Sequence, residues 1–215
     1  SIDVAAALEV ETTQTVNSDG LIGAYVNSDK AVVVNSGSLN GSFGVGGSRD
    51  YGFDQIVDYS KVGSEYIFVK GTGSDAWENV LLVAHTDATT ITINGLGVSN
   101  GIVHGKGVNV SSSSPAIASA SIDAGDYYLI EGDMYSSDGN MYVQSSAPVF
   151  AFQGIGFGGG EANQGLFFVP PLKCSSVGDV DNIPEINNIG ATTYTGNLNI
   201  ISKVGAVITI SDANN

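Results

Sequence analysis

The stretch that decides the fold is Val80-Leu-Leu-Val-Ala-His-Thr-Asp-Ala-Thr-Thr-Ile-Thr-Ile-Asn-Gly95. It contains two short runs rich in β-branched and large apolar residues, 80–84 and 89–93, and it closes on the turn signal Asn94-Gly95. Neither run reaches the length of an ordinary helix, and apolar residues do not recur at helical spacing. We therefore predict two β-strands here.

The same kind of run recurs along the rest of the chain, with turn signals such as Asp19-Gly20 and Asp138-Gly139 between the runs. The remaining predicted strands are Ala31–Val34, Tyr66–Val69, Tyr127–Ile130, Val149–Phe152, Leu166–Val169 and Ala206–Ile210. No stretch of a dozen residues has the apolar periodicity of a helix. Many short strands at near-regular spacing predict an all-β fold built as antiparallel β-sandwiches, of the immunoglobulin-like or jelly-roll-like kind.

Composition places the chain among globular proteins with an unusual surface. Hydrophobic residues make up 42% of the 215 residues, which is enough for a packed core, whereas charged residues make up only 13%. Small polar residues and 29 glycines take the place of the usual Lys and Glu. This composition favours short strands joined by tight turns.

Net charge excludes one class of partner. With 22 acidic and 7 basic residues the chain carries −15, so phosphate backbones and anionic membranes would repel it. We therefore expect no nucleic-acid binding. We also expect no direct membrane insertion, since no apolar run of 18 residues is present.

The single cysteine, Cys174, allows no internal disulfide and is expected to be a small buried residue. We expect the sequence to be part of a longer extracellular protein.

An internal repeat predicts how the strands are divided between domains. Tyr25-Val-Asn-Ser28 is similar to Tyr142-Val-Gln-Ser145, and Ile91-Thr-Ile93 recurs as Ile208-Thr-Ile210 at the same shift. The repeat predicts two tandem, related β-sandwich units, 1–120 and 121–215. The alternative is one larger domain, in which the polar run Ser111–Pro115 is a long loop.

Several segments, taken in order, resemble the N-terminal domain family of the IgGFc-binding protein. They are Val26–Gly37, Asp54–Val57, Gly63–Val69, Asn79–Ala84, Thr89–Gly95, Ala124–Tyr128, Pro148–Ala151 and Val169–Pro171. Together they span about residues 25–175 and cross the predicted boundary at residue 120, which favours the single larger domain.

The resemblance implies an extracellular, β-rich module of a large surface or adhesive protein, with bacterial relatives that include adhesins of gliding cells. It implies no catalytic residues. Mammalian members carry cysteines in the segment that matches 35–54, where this chain has none, so immunoglobulin binding is not carried over. The expected role is a non-catalytic adhesion or scaffolding module on the cell surface that binds other domains or subunits of a surface assembly, or glycans, or a cell or solid surface.

Three aromatic residues are candidates for ligand binding, because aromatic rings in loops can stack on a sugar or a protein partner: Trp77, Tyr135 and Tyr142. Core packing is the alternative for Trp77. A carbohydrate-binding module is the second hypothesis, and a glycosidase-like enzyme is the third, since paired carboxylates are compatible with that chemistry. A Ser–His–Asp triad lacks the nucleophile motif that would support it. His85 is expected to be a half-buried strand or turn residue.

Clustered carboxylates make calcium the candidate cofactor, although none is expected to be required. The candidate ligands are Asp123 and Asp126 in one segment and Asp179 and Asp181 in another. Neither segment has EF-hand spacing. The alternative is that these residues form turns through hydrogen bonds from their side chains to the backbone.

Overall fold

A computed structural model describes residues 22–41, 50–94, 96–97, 103–104, 107–110, 121–156, 166–172, 188–189, 191–193, 199–202 and 204–210. Its contacts divide the chain into two compact units, Ser1–Ser176 and Val177–Asn215. The described part contains strands and three single-turn 3-10 helices, at Tyr59–Lys61, Asp75–Trp77 and Gly132–Met134. The predicted all-β class is confirmed.

The strands of the first unit are β1 Val34–Gly41, β2 Asp50–Ile56, β3 Gly63–Val69, β4 Val80–Ala84, β5 Thr89–Ile93, β6 Leu96–Gly97, β7 Val103–His104, β8 Gly107–Val110, β9 Ser121–Ile122, β10 Tyr127–Ile130, β11 Asn140–Gln153 and β12 Phe167–Phe168. β1 and β2 form an antiparallel pair. The other ten form one sheet ordered β6-β5-β11-β4-β10-β8-β7, with β3 and β12 also on β11 and β9 on β5. Pairing is antiparallel except between β10 and β8.

β11 gives this sheet its curl. Its first half pairs with β3 and β5, and its second half pairs with β4 and β12. The register with β3 shifts between Gln144 and Val149, a stretch that contains Pro148. Because proline cannot donate to a strand ladder, an interior position of this kind is tolerated only where pairing is interrupted. The strand therefore bends there and takes part in two portions of a curled sheet.

Alternating side chains of the central strands enter two apolar clusters on opposite faces of the sheet. Val80, Leu82 and Ala84 of β4 belong to the larger cluster, and Leu81 and Val83 belong to the smaller one. All five residues of β4 are buried, which explains why this segment is an uninterrupted apolar run. In β5 only Thr89, Ile91 and Ile93 are buried, so the sequence alternates.

The tandem arrangement of two sandwich units, 1–120 and 121–215, is not confirmed, because strands from both sides of residue 120 pair in one sheet. β10 and β11 both lie beside β4. The two members of the repeat also differ: Tyr142–Ser145 lies in β11, whereas Tyr25–Ser28 is not a strand. The sequences are similar, but their surroundings are not, since only the second copy has partner strands among the described residues.

The second unit contains the short pair β13 Asn188–Ile189 and β14 Thr192–Thr193. The strand predicted at 206–210 is wrong for this structure. Residues 204–210 are exposed and form no ladder within the described residues, so β propensity alone does not make a strand there. Two other predicted strands differ in their bounds. β1 begins at Val34, where the predicted strand 31–34 ends, and β12 covers only Phe167 and Phe168 of the predicted strand 166–169.

Candidate functional site: an exposed aromatic patch

Two turns meet at the C-terminal end of β4 and fix each other through reciprocal hydrogen bonds. The Asp123 carboxylate accepts from the Ala88 N–H at 3.0 Å, and the Asp87 carboxylate accepts from the Ala124 N–H at 3.0 Å. The backbone of Ala84 bonds to both Gly125 and Asp126, each at 2.9 Å. Four hydrogen bonds thus tie the turn after β4 to the turn before β10, and both continue directly into buried strands.

A close contact between two glycines places the segment that precedes β1 against these turns. Gly23 and Gly125 both have positive φ, at 79° and 86°. A Cβ on Gly23 would lie 1.9 Å from the Gly125 carbonyl oxygen, which no side chain could tolerate without a backbone shift. Glycine at position 23 therefore lets the chain pass close enough to bring Tyr25 to the end of β4.

The aromatic patch is the surface cluster formed by Tyr25, Tyr59, His85 and Phe150. The Tyr59 and His85 rings are stacked, with centroids 3.9 Å apart and planes inclined by 27°. Tyr25 lies on His85 at 6.3 Å, and Phe150 lies 6.3 Å from Tyr59 and 6.5 Å from His85. Tyr25 is 75% exposed and Tyr59 is 37% exposed, whereas His85 and Phe150 are half-buried. Rings of four chain segments thus form one surface with its inner side anchored in the fold.

Each inner member of the patch is positioned by the sheet. His85 follows β4 in the same alternation as Leu81 and Val83, so it continues the face that carries the smaller apolar cluster. Phe150 of β11 packs against that cluster and pairs with Val83 in the ladder. The patch therefore extends an apolar layer outward to solvent.

A capped 3-10 turn holds Tyr59. The Asp58 carboxylate accepts from the Ser60 N–H at 2.9 Å, and the Val62 N–H closes the turn on the Tyr59 carbonyl at 3.2 Å. Val62 is buried and anchors the turn. Hydrogen bonds from Ser60 lower the pKa of Asp58, so its carboxylate is ionised beside Tyr59 at neutral pH.

The predicted ligand-binding aromatics lie outside this patch. Trp77 and Tyr135 are each only 9% exposed, so neither presents a ring face to a ligand in this structure. The burial of Trp77 agrees with its alternative of core packing, and Tyr135 belongs to the larger apolar cluster. Tyr142 is half-buried on β11, where its backbone N–H donates to Asn94 at 2.9 Å. Ligand binding by Tyr142 stays a prediction.

Trp77 and Tyr135 surround a buried carboxylate that sequence analysis missed. Glu78 is fully buried and accepts from the backbone N–H groups of Gly71 at 2.8 Å, Gly73 at 2.9 Å and Gly156 at 3.0 Å. Burial and the nearby Glu78 charge raise the pKa of Tyr135. A Cβ on Gly73 would lie 2.3 Å from Gly156 Cα, so the glycines allow the loops to converge on Glu78. These bonds join the loop between β3 and β4, which carries Glu78 itself, to the segment after β11.

Asp123 and Asp126, two of the predicted calcium ligands, are occupied by the backbone. Asp123 accepts from Ala88 as described, and Asp126 accepts from the Asp123 N–H at 3.3 Å. These are the bonds of the turn alternative. Within the described residues, no group of three His, Cys, Asp or Glu side chains could hold a metal ion. Asp179, Asp181 and Cys174 lie outside the described residues.

Sequence reasoning predicted no member of the patch as a binding residue. His85 was predicted as a half-buried residue at the end of a strand, which is confirmed. Tyr25 and Tyr59 carry no local signal of a site, because the patch depends on contacts between segments 25, 59, 85 and 150 that only the fold brings together. The structure thus defines an all-β domain that carries an exposed aromatic cluster on a capped, hydrogen-bonded frame.

The sequence model of the IgGFc binding protein family matches residues 8–214, nearly the whole chain. The chain therefore belongs to this family, as the resemblance implied, and membership supports an extracellular binding module. No curated protein and no solved structure matches it. No helix in the described part of the chain is long and apolar enough to cross a membrane.

Proposed function

We propose that the chain is a non-catalytic adhesion or scaffolding module on the cell surface, part of a large secreted surface protein of the bacterial type, and that the aromatic patch is its recognition surface. The observation that carries the proposal is the exposed Tyr59 ring stacked on His85, with the more exposed Tyr25 ring tilted beside it. Tyrosine supplies large contact area at a low entropic cost and is enriched where proteins bind partners. Other domains or subunits of a surface assembly are the proposed partners.

The frame suits this role because it is rigid where the patch is attached. Two turns are joined reciprocally by Asp87 and Asp123, and a capped turn carries Tyr59. A preorganised surface loses less entropy on binding than a flexible loop does. No cofactor is required in this proposal, since recognition depends on rings and turns that protein groups hold by themselves.

The test is adhesion by the parent protein displayed on cells, compared between wild type and the double variant Tyr25→Ala with Tyr59→Ala. We expect a loss of at least about tenfold in bound cells, because aromatic residues at the centre of an interface are commonly hot spots worth about 2 kcal/mol. Phe167→Ala is the matched control, since this exposed aromatic residue of β12 lies outside the patch. Equal adhesion by the double variant and the control would refute the proposed surface.

A glycan-binding module is the second candidate, and the same stack of exposed rings favours it, because sugar rings bind on aromatic faces. A glycan array probed with wild type and the double variant separates the two. Signal on defined glycans that disappears in the double variant would favour glycan binding, and no signal at high protein concentration would remove that candidate. A glycosidase-like activity would instead release new reducing ends from mixed polysaccharides, and we expect none.

A further inference from the structure

The segments that build and border the aromatic patch are rich in carboxylates. They carry five acidic residues and two basic ones, namely Asp29, Asp58, Asp87, Asp123 and Asp126 against Lys30 and Lys61. Asp58 immediately precedes Tyr59, and Asp87 lies two residues after His85. The only ion pair among the described residues is Lys70 with Asp75, and Lys61 acts on the Asp58 carboxylate through its charge without forming an ion pair there. The patch therefore combines exposed ring faces with negative charge.

Resting on the proposed function, we propose that the occupant of the patch is a basic segment of a partner protein, bound through arginine or lysine side chains laid over Tyr25 and Tyr59. The face of an aromatic ring attracts a cation, and arginine does so most often because its planar group also stacks. Tyr25 is the more open platform, with three quarters of its surface exposed, and Tyr59 borders it through His85.

Charge complementarity decides between this occupant and an uncharged one. A chain of net charge −15 attracts basic partners over a distance, and Asp58 and Asp87 stand in the same turns as Tyr59 and His85. Both carboxylates also accept backbone hydrogen bonds, which fixes their position at the border of the patch. An uncharged ligand would lack the charge–charge attraction that this acidic border offers to a cation.

The experiment measures binding of a short, acetylated and amidated peptide of alternating Gly and Arg to the folded chain. The matched peptide carries citrulline, which keeps the planar shape of arginine and removes its charge. We expect the arginine peptide to bind and the citrulline peptide to bind at least about tenfold more weakly. Tyr25→Leu and Tyr59→Leu are each expected to weaken binding of the arginine peptide about two- to fivefold, because leucine keeps apolar contact but has no π face.

Charge is tested with Asp58→Asn and Asp87→Asn, since asparagine keeps an oxygen for each backbone hydrogen bond. Each is expected to weaken the arginine peptide about two- to threefold and to reduce the salt dependence of its binding. Asp138→Asn is the control. Asp138 is exposed and lies just before the start of β11, whereas Ala84 next to the patch pairs with Val149 near the other end of that strand.

Equal binding of the two peptides, or equal loss in Asp138→Asn and Asp58→Asn, would overturn the inference. The outcomes also separate it from the proposed function. If Tyr25→Ala with Tyr59→Ala abolishes adhesion while the arginine peptide fails to bind, the patch recognises an occupant that is not basic, and only this inference falls. If that double variant adheres normally, the proposed function itself is refuted.

Discussion

Replacing Glu78 tests how the loops at the N-terminal end of β4 are held together. In Glu78→Ala three backbone N–H donors lose their acceptor: those of Gly71 at 2.8 Å, Gly73 at 2.9 Å and Gly156 at 3.0 Å. A buried donor left without an acceptor costs about 1–3 kcal/mol. The Gly156 bond is buried and the other two are partly buried, so water can reach the latter after the change. We expect the free energy of unfolding to fall by about 3–5 kcal/mol.

Glu78→Gln separates the hydrogen bonds from the charge. One carboxylate oxygen accepts from both Gly73 and Gly156, and the other accepts from Gly71. An amide oxygen can keep the first two bonds, but the amide nitrogen then faces the Gly71 N–H, so two donors oppose each other. The expected loss is about 1–3 kcal/mol, between wild type and Glu78→Ala.

The assay is urea denaturation at neutral pH, followed by far-ultraviolet dichroism and by the fluorescence of Trp77, the only tryptophan, which lies beside Glu78. Glu65→Ala and Glu65→Gln are the matched controls, because the Glu65 carboxylate bonds to two side chains, those of Gln144 at 3.2 Å and Tyr142, instead of to buried backbone N–H groups. They are expected to change stability by less than about 0.5 kcal/mol. If Glu78→Ala stays within about 1 kcal/mol of Glu65→Ala, the three bonds do not hold the loops as argued.

Three further perturbations test other parts of the structure. Gly23→Ala should release Tyr25 from His85, because a Cβ there would lie 1.9 Å from the Gly125 carbonyl oxygen. We expect binding at the patch to fall as in Tyr25→Ala while the temperature of thermal unfolding changes little. A large drop in that temperature would contradict this. Burial raises the pKa of Tyr66 from 10.0 to about 12, so the stability that the neutral hydroxyl contributes below pH 10 should be lost as the pH rises through about 12. Tyr66→Phe lacks the bond to the Val149 carbonyl at 2.6 Å, so it should be less stable at neutral pH and its free energy of unfolding should change less between pH 10 and 12. Parallel plots of unfolding free energy against pH for the two proteins would refute the assignment. Added calcium should leave the unfolding temperature of wild type and of Asp123→Asn unchanged, since Asp123 and Asp126 already accept backbone hydrogen bonds. If calcium raises the unfolding temperature of wild type and of Asp179→Asn but not that of Asp123→Asn, a calcium site lies at Asp123.

Most strands of the sheet could be predicted from sequence, because a continuous apolar run marks a strand buried on both faces, such as β4, and alternation marks one buried on a single face, such as β5. The runs at 66–69, 80–84, 89–93, 127–130 and 149–152 all lie in strands of the sheet. Pairing could not be predicted in the same way. β11 is fourteen residues long and meets four other strands, and neither fact follows from the local pattern around Val149. The similarity of Ile91–Ile93 to Ile208–Ile210 was misleading for the same reason, since a strand also needs a partner.

The candidate site was less predictable than the fold. Trp77 and Tyr135 attracted attention as aromatic residues, yet both are buried, because the loops that carry them converge on Glu78. Tyr25, Tyr59 and His85 are far apart in sequence. The Gly23 contact and the capped turn at Asp58 bring the two tyrosines to His85. Contacts of this kind depend on tertiary structure and leave no periodic signal.

The central claim is that Tyr59 and His85 form a stacked, solvent-facing pair on a rigid sheet. The chain has only two histidines, so the imidazole proton signals of His85 and His104 can be followed separately by nuclear magnetic resonance. Because the two rings lie 3.9 Å apart, we predict that the His85 signals are shifted upfield in wild type and return toward the positions of a free histidine in Tyr59→Leu, with His104 unchanged. His85 signals that are the same in both proteins would contradict the stack and, with it, the recognition surface.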